Sequence, residues 1–257
     1  PGPSLTLTES TILAGTDAKK GVPVQIESVR GVHEVVIYRI ENGSEVEALR
    51  ETKNGEHTLN YAPEIDFTEA TSKLKVVVSD GREGKEAIGY MKAYVNMDVA
   101  TLNVGSQPLA NNAHVKYPDA FGMVSLNDLK TYSVDYAIAN EVNAKNVDFK
   151  FYCFGASGSP RLYSMDNTGK DGEFSGSTGK LSAIKVKNLT RFAILSNFDY
   201  ENATVASISS EILSSSIAQS LLDPIAVGNV IAFRTGGSSA AGGGRIGVMK
   251  VINITEP

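Results

Sequence analysis

The sequence predicts a mainly β chain: an N-terminal β-sandwich of immunoglobulin-like type over residues 1–97, then a β-rich α+β domain over 98–257. Three observations predict it. About seven short strands fall within the first hundred residues, separated by turn signals every 8 to 20, with no sustained helical periodicity. Beyond Asp98 the pattern turns mixed, with one helical face and long polar loops. The chain ends in two strongly apolar arms joined by a Gly/Ser/Ala loop.

Taken in order, Ser4 to Thr8 alternates Leu with polar residues. Val22 to Glu27 alternates too, and Pro23 marks an edge or a strand start. His33 to Glu41 is a strong strand ended by Asn42-Gly43, a hairpin signal, and Val46 to Leu49 pairs back. His57 to Tyr61 and Lys73 to Ser79 follow, the second ended by Asp80-Gly81, and Ala87 to Val95 closes the set. The paired cysteines and tryptophan of antibody domains are absent, so the likeness is architectural.

In the second domain, Val99 to Val104, Phe121 to Leu126, Val147 to Phe154 and Leu181 to Val186 read as strands. Ser133 caps a short helix reaching Asn140 or Asn143, with Asp135 in its first turn. Gly105–Asn112 is a polar loop, and Gly155–Gly179 reads as a long surface excursion. Ile208, Ile212, Leu213, Ile217 and Leu221 suit one face of a helix over 207–222, stopped by Asp223-Pro224. Asn229 to Ile254 forms the closing hairpin. Its arms are apolar on both sides, which places it in the middle of a covered sheet.

Composition excludes several classes. A chain that is 42% hydrophobic and 21% charged is globular rather than disordered. No apolar run approaches the roughly 20 residues that span a bilayer. Net charge is −5, with 11 basic and 15 acidic residues up to Met97 and 13 and 14 after it. Neither part carries the basic field that nucleic-acid binding needs. The single cysteine, Cys153, makes no internal disulfide and reads as a buried small hydrophobe. Pro1-Gly2-Pro3-Ser4 reads as a trimmed start or the tail of a linker.

No sequence motif names a reaction. Gly236 to Gly244 lacks the following helix and the Lys-Ser/Thr pair of a phosphate cradle and reads as a hairpin loop. In Asp166 to Glu173 the EF-hand register fails, because Lys170 and Asp171 stand where a ligand and a glycine belong. Gly155-Ala-Ser157-Gly-Ser159 comes near a nucleophile elbow but ends in Ser. His33, His57 and His114 make no zinc motif. No cofactor is expected. Asn-x-Ser/Thr triplets stand at Asn42, Asn188, Asn202 and Asn253. Tyrosines are the available sugar platforms: Tyr117, Tyr132, Tyr152 and Tyr163, each with core packing as the alternative. Arg234 and Arg245 flank the Gly-rich loop, opposite each other in a regular hairpin, where they either hold an anionic group or mark its solvated end.

Val227 to Thr235 followed by Arg245 to Ile254 resembles the C-terminal signature of uncharacterised Bacteroidetes-type surface lipoproteins. Leu102 to Gln107, and Thr131 to Ser133 with Asn146 to Phe149, are similar to two further stretches of that group. Val76 to Gly81 resembles the immunoglobulin-like modules such proteins carry. The long Gly-rich loop departs from the short turn usual there, as does Asn103. The resemblance implies export, a lipid-anchored cysteine upstream of Pro1 that has been removed, and a place at the cell envelope, on the surface or periplasmic side of the outer membrane. It supplies no catalytic residues. The expectation is a non-catalytic protein that binds a glycan or peptide through Tyr117, Tyr132, Tyr163, Arg234 and Arg245, or meets an outer-membrane protein partner. The alternatives are a hydrolase with carboxylates assembled by the fold, and a purely structural or assembly protein.

Overall fold

A computed structural model describes residues 1–107, 111, 116–154 and 158–255. Strand outweighs helix, 37% against 11%, so the protein is mainly β. The chain forms two compact units, residues 1–99 with 201–207, and residues 100–200 with 208–257.

In the first unit, β1 (Ser4–Leu7), β4 (Val24–Glu27) and β7 (Thr58–Tyr61) form a three-stranded sheet with β4 central. Pro23 therefore precedes a central strand rather than lying in an edge one. A second sheet runs in the order β2-β10-β9-β5-β6. Its strands are β2 (Thr11–Ala14), β5 (Glu34–Glu41), β6 (Ser44–Thr52), β9 (Thr71–Ser79) and β10 (Glu86–Val95). Strands β3 (Lys20–Gly21) and β8 (Glu64–Ile65) make a small separate pair. Alternation sets the layers. Val24 and Ile26 share a buried cluster with Ile37, Leu74, Val76 and Met91, so both larger sheets enclose one core. Asn42 and Gly43 both take positive φ, 51° and 80°, as the two-residue turn between β5 and β6 requires.

The second unit is built on two sheets. One has the order β12-β11-β13-β14-β16, from β11 (Met123–Ser125), β12 (Lys130–Tyr132), β13 (Phe149–Tyr152), β14 (Arg161–Ser164) and β16 (Leu221–Leu222). The other has the order β15-β17-β18, from β15 (Arg191–Leu195), β17 (Val230–Arg234) and β18 (Ile246–Lys250). Both faces of the first of these sheets are covered. Val124, Phe149 and Leu162 join Phe192 and Ile231 in one cluster. Met123, Tyr152 and Tyr163 join Phe174, Leu181 and the short helices in another.

Several sequence expectations change here. Strand β17 is central, but β18 is an edge among the described strands and half-buried throughout, so only one arm of the closing hairpin is covered as expected. The loop between them is anchored. Ser239 is buried and donates to Asp148 Oδ1 at 2.6 Å, and Ala240 N donates to Lys145 O at 2.8 Å. The helix expected over 207–222 is α3 (Val205–Ser214) only. A serine run ends it: Ser214 Oγ turns back to Glu211 O at 2.8 Å and Ser215 Oγ to Glu211 Oε1 at 2.9 Å, competing with helical continuation. The 155–179 excursion contains β14 and a 3-10 turn, Asp171–Glu173, of which Asp171 is buried and the other two residues exposed. Leu181–Ala183 is a 3-10 turn, because Leu181 and Ile184 are buried at a spacing of three. No strand forms at 99–104. The helix capped by Ser133 is α1 (Val134–Ala139), and Asn140 then caps a second, α2 (Glu141–Lys145).

Candidate functional site

The residues most suited to a ligand gather where β12 meets α1. Ser133 Oγ accepts from Tyr136 N at 3.2 Å and starts the helix. Tyr132 and Tyr136 thus stand four residues apart, and their rings stack at a centroid distance of 4.0 Å and an interplanar angle of 17°. The preceding turn brings up Asn127 and Asp128, both exposed, with Leu129 held at a φ of 52°. Tyr132 donates its hydroxyl to Asp128 Oδ2. Asn146, at the end of α2, donates to the same oxygen at 2.7 Å and to the Tyr136 hydroxyl at 3.0 Å. Asn127 Nδ2 donates to Asp128 Oδ1 at 3.1 Å and to Asn146 Oδ1 at 3.2 Å. Ser125 Oγ also donates to Asn146 Oδ1, at 3.2 Å.

The electrostatics follow from these bonds. The Asn146 and Tyr132 donors hold the Asp128 carboxyl below its usual range, so it is anionic at neutral pH. Burial, then the neighbouring carboxylate, pushes the Tyr132 phenol up to about 12, so it stays a neutral donor. The result is an exposed carboxylate and one exposed carboxamide, Asn127, beside a pair of half-buried stacked rings, with the buried Asn146 fixing them from beneath.

A second cluster lies across β13 and β14. The Arg161 guanidinium lies 5.6 Å from the Tyr152 ring and bonds Ser159 at 3.1 Å, with Asp223 at 3.3 Å. Lys170 lies 5.2 Å from the same ring and pairs with Glu173 at 3.0 Å. Its charges satisfy one another.

The other expected residues are not brought together. Tyr163 is 5% exposed, its ring is part of the core, and its hydroxyl accepts from Arg161 at 3.3 Å, so it offers no open face. Tyr152 is buried likewise. Tyr117 is half-buried, with Lys116 5.3 Å from its ring. Arg234 and Arg245 are exposed but not opposite each other. Arg234 pairs with Ile246, while Thr235 N donates to Arg245 O and Arg245 N donates to Thr235 Oγ1, each at 2.9 Å. The register is one residue away from the regular hairpin expected, which sends the two arginines to opposite faces.

Cys153 is buried, and its N–H donates to Ser106 Oγ at 2.7 Å, a core role. His57 Nδ1 lies 2.9 Å from Ser28 O. His114 and the 155–157 part of the near-elbow lie outside the described residues. Among the described residues, no group of three or more His, Cys, Asp or Glu converges as a metal site would require. Asn188 is fully buried, which removes it as a glycan acceptor in the folded chain. Asp148 is the carboxyl that burial pushes up, against its bonds from Ser239 and Leu126 N. It is fully enclosed. In the first unit, a depression of about 480 Å³ lies between Leu13–Lys20 and Asn96–Asp98, with acidic and basic side chains mixed along it. The outer face of the larger sheet there exposes Ile88 and Tyr90, paired with Val77 and Lys75.

No family model matches the chain, and a comparison with curated proteins finds no match.

Proposed function

We propose that this is a non-catalytic protein of the cell envelope whose second unit binds a glycan, with Asn127, Asp128, Tyr132 and Tyr136 as the recognition surface. The observation that carries the reading is the fixed Asp128 carboxylate beside stacked tyrosines. A sugar offers hydroxyl donors and an apolar ring face. An anionic acceptor, an amide and an aromatic edge held in place meet both needs with little ordering cost. The hydrolase alternative needs a carboxyl kept protonated near neutral pH beside an ionised one. In this unit the solvent-facing Asp128, Asp135 and Glu173 are all held low, and the raised Asp148 is sealed off.

The test is a thermal-shift and titration screen of the whole chain against glycans and peptides. Ligand at 100 times its Kd adds about 2.7 kcal/mol to stability. Tyr132→Ala and Asp128→Ala are expected to weaken the sugar that shifts the wild type by tenfold or more, and Arg234→Ala to leave it unchanged. A panel without shifts, or one in which only peptides act, overturns the glycan reading. The envelope location, with a lipid on an upstream cysteine and an outer-membrane partner, rests on the resemblance of the C-terminal strands. Labelled fatty acid that fails to enter the full gene product in its native cells removes the anchor.

A further inference from the structure

Lys150 stands at the centre of the five-stranded sheet, where alternation along Phe149-Lys-Phe-Tyr152 turns it to the same side as Tyr152. That side is covered, so the ammonium is carried into the core: the side chain is fully buried, with Nζ 5.4 Å from the Tyr163 ring and 5.9 Å from Phe174. It meets one carboxyl, Asp171, whose side chain is 4% exposed and which Nζ contacts through Oδ1. A second N–H of Lys150 donates to Asn167 O at 2.9 Å. Asp171 Oδ2 is buried and has no hydrogen-bond partner. A desolvated ion pair gains most when every lone pair is satisfied, and here one oxygen is left bare.

We propose that Lys150 and Asp171 join through an intramolecular isopeptide bond. Nζ attacks Asp171 Cγ and the Nζ–Cγ bond forms. The Cγ–Oδ2 bond breaks, and Oδ2 takes two protons from Nζ and leaves as water. Oδ1 becomes the amide carbonyl, and the remaining N–H keeps its bond to Asn167. No oxidant, metal or co-reactant is needed, and two buried charges disappear. Burial pushes the Lys150 amine down, against the pull of Asp171, and so favours the neutral nucleophile. Groups held in contact reach effective molarities on the order of 10⁵–10⁸ M, which drives a condensation that separate solutes do not complete in water. In a chain with one cysteine, the bond would serve as the covalent staple that no internal disulfide can supply.

Intact mass of the full chain under denaturing conditions tests this. The expected mass is one water below that of the sequence, with peptides carrying Lys150 and Asp171 recovered as one branched species. Asp171-Gly172 can also lose water by closing a succinimide. That product stays within one peptide and persists in Lys150→Arg, whereas the isopeptide vanishes in Lys150→Arg and in Asp171→Ala. Asp171→Asn would expel ammonia instead and reach the same final mass as the cross-linked wild type. A wild type at its full sequence mass, or a water loss that survives Lys150→Arg, overturns the proposal.

Discussion

Asn188 is the side chain on which the interior of the second unit turns. It is fully buried, and its Nδ2 donates to Lys145 O and Val147 O, each at 2.8 Å. Its Oδ1 accepts from Ser238 Oγ at 2.8 Å. One amide thus ties the end of α2, the start of β13 and the Gly-rich loop. Asn188→Ala leaves the buried Val147 carbonyl and the Ser238 hydroxyl without that partner, at about 1–3 kcal/mol for each group left bare, while Lys145 O keeps its bond from Ala240 N. We expect a loss of about 2–4 kcal/mol, read as a lower urea midpoint, and a midpoint within about 0.5 kcal/mol of wild type would show that water replaces the amide. Nothing in the sequence singled out this role: Asn-Leu-Thr reads as a modification triplet, because hydrogen-bond partners 41 to 50 residues away leave no local trace. Tyr132 was legible in the sequence only as one of four tyrosines, with nothing to set it apart from Tyr117, Tyr152 and Tyr163. Asp128 and Asn146, which complete its surface, were not, since they meet it only in space. Lys150 does carry a sequence signal, standing between Phe149 and Phe151. A lysine between aromatics in a strand covered on both sides has no route to solvent.

At the scale of elements, the first unit depends on two turns that pass within backbone contact. Gly55 N donates to Val32 O at 3.1 Å, and Val32 N donates to Glu56 O at 2.9 Å. Gly31 lies at this crossing with a φ of +86°, and a Cβ there would stand 2.4 Å from Gly55 O. Left-handed backbone costs an L-residue about 1–2 kcal/mol, and the clash adds to it. Gly31→Ala is expected to lose about 2–4 kcal/mol, while Gly43→Ala, where a Cβ meets nothing within 4 Å, loses only the backbone part. Equal losses in thermal or urea melts would refute the crossing as the cause. Strands β9 and β10 were readable because alternation reports their buried face directly, and β5 from its β-branched run, although Val35, Val36 and Ile37 are all buried. The second unit was harder. Its strands are short, and β11, β13 and β14 are covered on both sides, which erases alternation, while β14 also lay hidden among Gly, Ser and Asp. The apolar spacing that suggested a helix to 222 comes from two elements, since Leu221 pairs with Tyr163 in the sheet.

Across the whole molecule, the response to acid follows from which carboxyls the fold holds charged. In the second unit Asp128, Asp135, Glu141, Asp166 and Glu173 lie below their ordinary values, and in the first Glu41 and Asp80 do. Asp135 illustrates the cause. Its carboxylate accepts from the hydroxyls of Ser177 and Thr178 and from both backbone N–H groups, pinning that loop to the start of α1. For Asp166 burial pushes upward, and the bidentate Arg191 contact, two bonds of 2.8 Å, outweighs it. A carboxyl lowered on folding contributes stability that is complete above its unfolded value, about 3.9 for Asp and 4.3 for Glu, and is lost as pH falls through the folded value. Asp148 has the opposite sign. Its ionised form is penalised by burial, and the penalty fades as pH falls through its raised value. From neutral pH down to about 5 the urea midpoint should therefore hold level or rise slightly, and below about 4 it should drop steeply. Asp135→Asn should be less stable at neutral pH and show a shallower drop below about 4, because it removes one proton-linked site. A midpoint that declines steadily from neutral, or an unchanged acid slope in Asp135→Asn, would mean that these carboxylates are solvated in the folded protein and that the loop at 177–178 is held by something else.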